Sequence, residues 1–290
     1  MSRPLSRIAY VNGRYRRKIS ASVNIEDRGY QFADGVYEVC LFMDGGYWDF
    51  EGHLARLRRS LSELQIPEPM GEASLAVVMT EVVRRNRLDN ALVYVQVSRG
   101  VARRNHAFPK APTFPSVVVT ASPFDIDGSD RAAAAGVAVI TREDIRWGRV
   151  DIKTVGLLPN VLAKQQAVEA GAAEAWLVRD GVVTEGTSSN AWIVNKDGAL
   201  VTHPKSTSIL SGITRATAIE CARDLQIEVI ERPFSLEEAR GAREAFITSA
   251  TNLIMPVISI DGAAVGAGRP GDVALRLRDA YKLKVAGRIF

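Results

Sequence analysis

At 290 residues, 47% hydrophobic and 24% charged, the chain suffices for two ordinary domains or one large α/β domain, which excludes a disordered segment and a small disulfide-stapled module. Cys40 and Cys221 are too few for a disulfide framework or a zinc site of their own, and the longest apolar run, residues 132–140, falls far short of the ~20 residues that cross a bilayer. The net charge of +4 is dispersed: basic groups alternate with acids along most of the chain and the clusters Arg14-Arg16-Arg17-Lys18 and Arg84-Arg85-Arg87 are short, so neither nucleic acid nor a membrane is expected as a partner.

In chain order, Ile8-Ala9-Tyr10-Val11 runs into Asn12-Gly13, a hairpin signal. A strand is expected over 36–42, turned by Asp44-Gly45-Gly46. Leu54, Leu57, Leu61 and Leu64 recur at three- and four-residue spacing, so 51–64 reads as an amphipathic helix. A second helix is expected over 73–87 and strands over 91–97 and 116–120. Residues 122–131 crowd Pro, Gly, Ser and Asp without periodicity and read as a linker between a smaller N-terminal domain, 1–121, and a larger C-terminal domain, 132–290. There follow a strand (136–141), a helix (160–170), hairpins at Asp180-Gly181 and Asp197-Gly198, a helix (214–225), strands (228–230 and 246–248), a hairpin at Asp261-Gly262 and a basic helix (273–285). Hairpins alternating with helices predict an α+β or α/β fold with antiparallel or mixed sheets, not a doubly wound one. Met1 to Arg7 are basic without an apolar run behind them, so no secretory signal is expected and the cytoplasm is the expected location.

Gly266-Ala267-Gly268-Arg269-Pro270-Gly271 spells GxGxxG, but Pro270 spoils the turn and too little chain follows for a βαβ unit, so the stretch reads as a loop before the last helix. No P-loop, HExxH, CxxC or GxSxG occurs, and His53, His106 and His203 are too dispersed to suggest a metal set. Chemistry-bearing groups lie elsewhere. Lys153 closes the arginine-flanked run that starts at Arg146. Glu185, followed by Gly186-Thr187-Ser188-Ser189, suits a tight, hydrogen-bonded turn at a buried site. Leu210-Ser211-Gly212-Ile213-Thr214 opens a helix whose first N–H groups, reached through a glycine, form a natural phosphate cradle. Ser249-Ala250-Thr251 carries small hydroxyls at a strand end. Singly these read as a surface lysine, a turn carboxylate and an ordinary helix start.

Their order and spacing together resemble the fold-type-IV pyridoxal-phosphate enzymes, which include D-amino-acid transaminases, branched-chain aminotransferases and aminodeoxychorismate lyases. Asp27-Arg28-Gly29-Tyr30-Gln31-Phe32-Ala33-Asp34-Gly35-Val36-Tyr37-Glu38 is similar to the family's N-terminal block, and His53-Leu54-Ala55-Arg56-Leu57 to its phosphate-arginine helix. The resemblance spans Asp27 to about Gly262 and implies the two-domain fold of D-amino-acid aminotransferases. It implies pyridoxal 5'-phosphate as cofactor, with Lys153 as its Schiff-base lysine and general base, Glu185 on the pyridine nitrogen and Arg56 on the phosphate. The N–H groups of Ile213 and Thr214 behind Gly212 would join the phosphate site with Ser249, Ala250 and Thr251, and Leu210 would pack on the ring.

The stretch Ser98-Arg99-Gly100-Val101-Ala102-Arg103-Arg104-Asn105-His106 separates the members. Arg104 and His106 are two apart, so in an extended loop both project to one side. An arginine fork with a histidine donor suits a carboxylate and resembles the Arg-x-His trap of D-amino-acid transaminases. Tyr37 would add a hydroxyl, and Tyr37, Val39 and Leu41 share one strand face. The chain departs from that group at Leu41, at Ala250, where a hydroxyl is usual, and at Asn252-Leu253. The implied activity is ping-pong transfer of an amino group from a D-amino acid such as D-alanine to a 2-oxo acid such as 2-oxoglutarate. The implied assembly is a homodimer whose trap loop serves the neighbouring subunit. A branched-chain or (R)-amine transaminase and an aminodeoxychorismate-type lyase are the alternatives.

Overall fold

The computed structural model describes residues 7–286, so the stretch read for a secretory signal lies almost wholly outside the described residues. The chain divides into two compact units. The first takes the described residues up to Phe124 together with Ile152–Gly156, and the second takes Asp125–Asp151 and the chain from Leu157 onward.

In the first unit, β1 (Ile8–Val11) and β2 (Arg14–Arg17) form the Asn12-Gly13 hairpin. After them come the short helix α1 (Arg28–Phe32), β3 (Gly35–Met43), β4 (Gly46–Tyr47), α2 (Phe50–Glu63), α3 (Glu72–Arg85), β5 (Ala91–Ser98) and β6 (Ser116–Pro123). The strands build one antiparallel sheet in the order β2-β1-β6-β5-β3-β4. Alternation sorts the faces of β3. Val36, Cys40 and Phe42 enter a core with Val93 and Val95 of β5, Leu54, Leu57 and Leu61 of α2, and Met79 and Val82 of α3. Each such side chain, buried, contributes about 1.5–3 kcal/mol. Tyr37 and Val39 turn to the other, half-buried face. Residues 152–156 zip onto the start of β3: Tyr37 N donates to Lys153 O (3.0 Å) and Val155 N to Gly35 O (3.1 Å).

The second unit runs through α4 (Ile126–Ala135), β7 (Val137–Glu143), α5 (Leu158–Glu169), β8 (Glu174–Arg179), β9 (Val182–Gly186), β10 (Asn190–Val194), β11 (Leu200–Thr202) and α6 (Ile213–Asp224). It continues with β12 (Val229–Glu231), α7 (Leu236–Arg240), β13 (Glu244–Ser249), β14 (Leu253–Ile260), β15 (Ala263–Ala264) and α8 (Asp272–Ala286). Its sheet is mixed, in the order β12-β11-β10-β13-β14-β7-β8-β9 with β15 on β14. The β11–β12, β14–β7 and β7–β8 pairs are parallel. Trp176, Val183, Ile193, Val201, Ile247 and Val257 form its core. Residues 266–271 lie between β15 and α8, outside any βαβ unit.

The chain departs from the sequence expectation at residues 122–131. β6 continues to Pro123 and α4 begins at Ile126, because Asp125 caps the helix by accepting from Gly128 N and an alanine run extends it. The five residues around Lys153 also join the first unit, although they follow the expected linker.

Candidate active site

On the first unit, Lys153 is half-buried and its Nζ stands 4.2 Å from the centroid of the Tyr37 ring. Tyr37 stacks on Tyr94 (5.4 Å between centroids). The Lys153 N–H reaches Ser60 Oγ of α2 at 3.4 Å. Val39 lies on the same face of β3 as Tyr37. On the opposite face, Glu38 is buried and takes up His53 and Arg56, which α2 presents three apart. Arg56 Nε donates to Oε1 (2.7 Å) and Nη2 to Oε2 (2.9 Å), and His53 Nδ1 lies 2.8 Å from Oε2. Burial pushes the Glu38 carboxyl up, but the charge and hydrogen bonds of Arg56, helped by His53, outweigh it and hold the group far below the usual carboxylate range. The fork of Arg56 is thereby oriented from its Nε edge.

On the second unit, Glu185 is the penultimate residue of β9, buried. Its Oε1 pairs with Arg146 Nη1, and its Oε2 accepts from Asn190 Nδ2 (2.9 Å) and Leu210 N (3.0 Å). Arg146 is itself gripped by Asp144, Nε to Oδ1 and Nη2 to Oδ2, both 2.8 Å, and Thr184 Oγ1 donates to Asp144 Oδ2 at 2.8 Å. Burial lowers the proton affinity of Arg146, but the Asp144 hydrogen bond and the charges of Glu185 and Asp144 raise it further, so the cation is secure. Asn190 Nδ2 also donates to Leu210 O (2.9 Å). A Cβ at Gly212 would collide with the Asn190 side-chain oxygen, so only glycine lets α6 start this close. That start has no side-chain cap, which leaves the first N–H groups, at Ile213 and the buried Thr214, without one. Thr248, one residue before Ser249, lies opposite Asn190 in the β10–β13 register. Ser249 Oγ and Thr251 Oγ1 lie 3.1 Å apart in the turn after β13, and Ala250 between them adds no hydroxyl. Glu185, Leu210 and Gly212 are thus gathered around Asn190, Ile213 and Thr214 follow Gly212 as the start of α6, and Ser249 to Thr251 are brought near by strand register.

Arg104 and His106 lie in the loop between β5 and β6, both exposed and both at the Phe32 ring of α1. The Arg104 guanidinium is 4.6 Å from its centroid and the His106 ring 5.4 Å. Neither hydrogen-bonds to Tyr37 among the described residues.

Sequence reasoning gave no role to Asp144, Arg146, Asn190 or Glu38. In a chain whose basic residues are 37 in number with only 8 lysines, an arginine between acids looks solvated. The available signal was the charge order Asp144-x-Arg146 seven residues before Lys153.

The first unit carries a half-buried lysine; the second, by itself, carries a buried carboxylate beside an uncapped, glycine-led helix start, an arrangement suited to an anionic, phosphorylated group. Comparison with known proteins narrows this. The chain matches the amino-transferase class IV family over residues 35–260 and belongs to it. It is 42% identical to the D-alanine aminotransferase of Bacillus licheniformis (93% of this chain, 94% of the relative) and 38% identical to that of Staphylococcus haemolyticus (96% and 98%). The T.th. branched-chain amino acid aminotransferase, solved with pyridoxamine 5'-phosphate, superposes with a TM-score of 0.88 at 28% identity, covering 98% of this chain and 95% of that one.

The residues present fit pyridoxal phosphate. The buried carboxylate of Glu185 suits a protonated ring nitrogen, the uncapped start of α6 suits a phosphate dianion, and Lys153 suits the aldehyde.

Proposed function

We propose that the chain is a pyridoxal-phosphate-dependent D-amino-acid transaminase, moving an amino group from a donor of the D-alanine type to a 2-oxo acid of the 2-oxoglutarate type by a ping-pong mechanism. One observation carries the choice of donor: Arg104 and His106, two apart, both lie against the Phe32 ring, which brings an arginine fork and a histidine donor together in one exposed loop. The D-alanine aminotransferases that match over more than nine-tenths of the chain support it.

Bound pyridoxal phosphate supplies an aldehyde that takes up and returns the amino group, and a ring that accepts electrons from the substrate Cα. Lys153 would hold the cofactor and, once released, carry a proton between the substrate Cα and the cofactor C4′. Glu185, paired with Arg146, would hold the proton on the ring nitrogen. Arg56, the N–H groups of Ile213 and Thr214 beside Gly212, and the hydroxyls of Ser249 and Thr251 flanking Ala250 would hold the phosphate, while Leu210 packs on the ring. Tyr37, Arg104 and His106 would fix the substrate carboxylate, with Val39 on the pocket wall. A fixed carboxylate lets Lys153 reach Cα from one side only, which selects one enantiomer.

The exposure of the trap loop supports a homodimer in which each copy's Arg104 and His106 serve its partner. Two buried cysteines, neither in a disulfide, accord with a cytoplasmic location. The test is a panel of paired D and L donors, followed by borohydride reduction and mass mapping. D-alanine alone should release pyruvate once, stall, and resume with 2-oxoglutarate, and the reduced adduct should sit on Lys153. Preference for L donors, or an adduct elsewhere, would refute the reading.

A further inference from the structure

We propose that Arg28 is a positioning residue for substrate-carboxylate recognition, its buried guanidinium setting the main chain of residues 105–107 and through it Arg104 and His106. This rests on the function proposed above for those two side chains.

Residues 99–115 join β5 to β6, longer than the ~12–15 residues beyond which unstructured loops become uncommon. Among the described residues, the main chain of 103–110 makes no backbone–backbone hydrogen bond. Asn105 Oδ1 accepts from Ala107 N at 3.0 Å. The Arg99 guanidinium lies 3.7 Å from the centroid of the Phe108 ring, and a further fastening comes from α1. Arg28, 3% exposed, donates from Nη1 to Asn105 O (2.6 Å) and Ala107 O (3.4 Å) and from Nη2 to His106 O (3.4 Å). Three successive carbonyls therefore converge on one planar cation.

Its third edge is committed too. Arg28 Nε donates to Asp34 Oδ2 at 2.7 Å. Asp34 also takes Arg99, Nε to Oδ2 (2.7 Å) and Nη2 to Oδ1 (2.9 Å), and Arg99 reaches on to Leu64 O and Gln65 O at the end of α2. The knot Arg28–Asp34–Arg99 thus ties the loop to α1, β3 and α2. The Arg28 backbone N–H bonds Gly100 O (2.9 Å), which fixes the loop's start. The Arg28 guanidinium lies 4.8 Å from the centroid of the Phe32 ring that Arg104 and His106 also meet. A lysine offers one ammonium in place of this fork and cannot serve three carbonyls and a carboxylate together.

Without Arg28 the loop would sample many conformations and engage a carboxylate only in a fraction of them, weakening binding by that fraction. The experiment compares native enzyme, Arg28→Ala, Arg104→Ala and the double variant, with D-alanine and with D-alaninamide, which lacks the carboxylate. Arg28→Ala should raise KM for D-alanine about tenfold or more, a loss equal to at least one pKa unit of interaction energy. The kcat, the cofactor content, the borohydride-trapped adduct and the kinetics with D-alaninamide should all hold. In the Arg104→Ala background the same change should add little. Should Arg28→Ala not fold, Arg28→Lys carries the test, since it keeps the charge on Asp34 and loses the fork. Equal losses with both donors, or losses that simply add to those of Arg104→Ala, would overturn the inference and leave Arg28 a general structural residue. If Arg104→Ala itself leaves D-alanine kinetics unchanged, the carboxylate trap falls, and this inference with it.

Discussion

Two buried carboxylates show how single residues prepare this site. Asp144 is fully enclosed at its side chain and flanked by Arg146 and Arg179. Burial pushes its pKa up, yet the hydrogen bonds and charge of Arg146, with Thr184, pull it down to about 2 from an ordinary 3.8. A carboxyl whose folded-state pKa is depressed contributes stability that is complete above the unfolded pKa and is lost as pH falls toward the folded one. Asp144 should therefore contribute about 2 kcal/mol at neutral pH, lost between about pH 4 and pH 2. Urea unfolding followed from pH 6 to pH 2.5 should show this slope, and Asp144→Asn should flatten it. Unfolding curves of the two proteins that stay parallel through that range would contradict the assignment. Glu38 works by the same logic under Arg56 and His53. Glu38→Ala strands a buried arginine, and we expect a loss of about 3–5 kcal/mol with weaker cofactor binding, read by urea unfolding and cofactor titration. Of these residues the sequence singles out Lys153, Glu185 and Arg56, which stand in motifs. Which arginine turns inward to brace an acid is decided by packing between distant segments, and no local pattern encodes it.

Among the elements, legibility followed length and periodicity. The helix α2 shows itself through Leu54, Leu57 and Leu61, because four turns repeat the apolar spacing often enough to stand out. The five-residue helix α1 completes barely one turn and leaves no such trace. It exists because Asp27 caps it through Gly29 N (2.8 Å) and because Arg28 is anchored in the loop beyond β5. The backbone turns at its end through Ala33, held in the left-handed region at φ 56. Ala33→Gly should relieve that strain and stabilise the protein by about 1 kcal/mol, seen as a higher urea midpoint at unchanged slope. The opposite result is expected at the start of α6. Gly212→Ala inserts a Cβ against Asn190, whose amide bridges Glu185 and Leu210, so the helix start must move away from the carboxylate. Cofactor affinity should fall at least about tenfold, the equivalent of ~1.4 kcal/mol, measured by fluorescence titration of the apoenzyme. Undiminished affinity would show that the start of α6 does not carry the phosphate.

For the whole molecule, the antiparallel pairs β1–β2, β8–β9, β10–β11 and β14–β15 follow from hairpin signals at Asn12-Gly13, Asp180-Gly181, Asp197-Gly198 and Asp261-Gly262, each of which closes a turn between neighbouring strands. The return of residues 152–156 to the first unit was hidden. Three main-chain bonds to β3 and Ser60 fix it, and no run of apolar residues announces it. Oligomerisation adds a test that a single chain cannot supply. Lys153 and Arg104 belong to one polypeptide, yet on the proposed dimer they serve different sites. Protomers carrying Lys153→Ala and protomers carrying Arg104→Ala should each be nearly inactive toward D-alanine. In a mixed dimer, one site combines two defects, while the other joins an intact Lys153 to the partner's intact Arg104. Mixing and reannealing the two variants should therefore restore activity, up to roughly half the native rate per mixed dimer. The gain should follow the binomial fraction of mixed dimers as the ratio is varied. If the loop served its own chain, every site in the mixture would carry one defect, and activity would stay at the sum of the two inactive variants at every ratio.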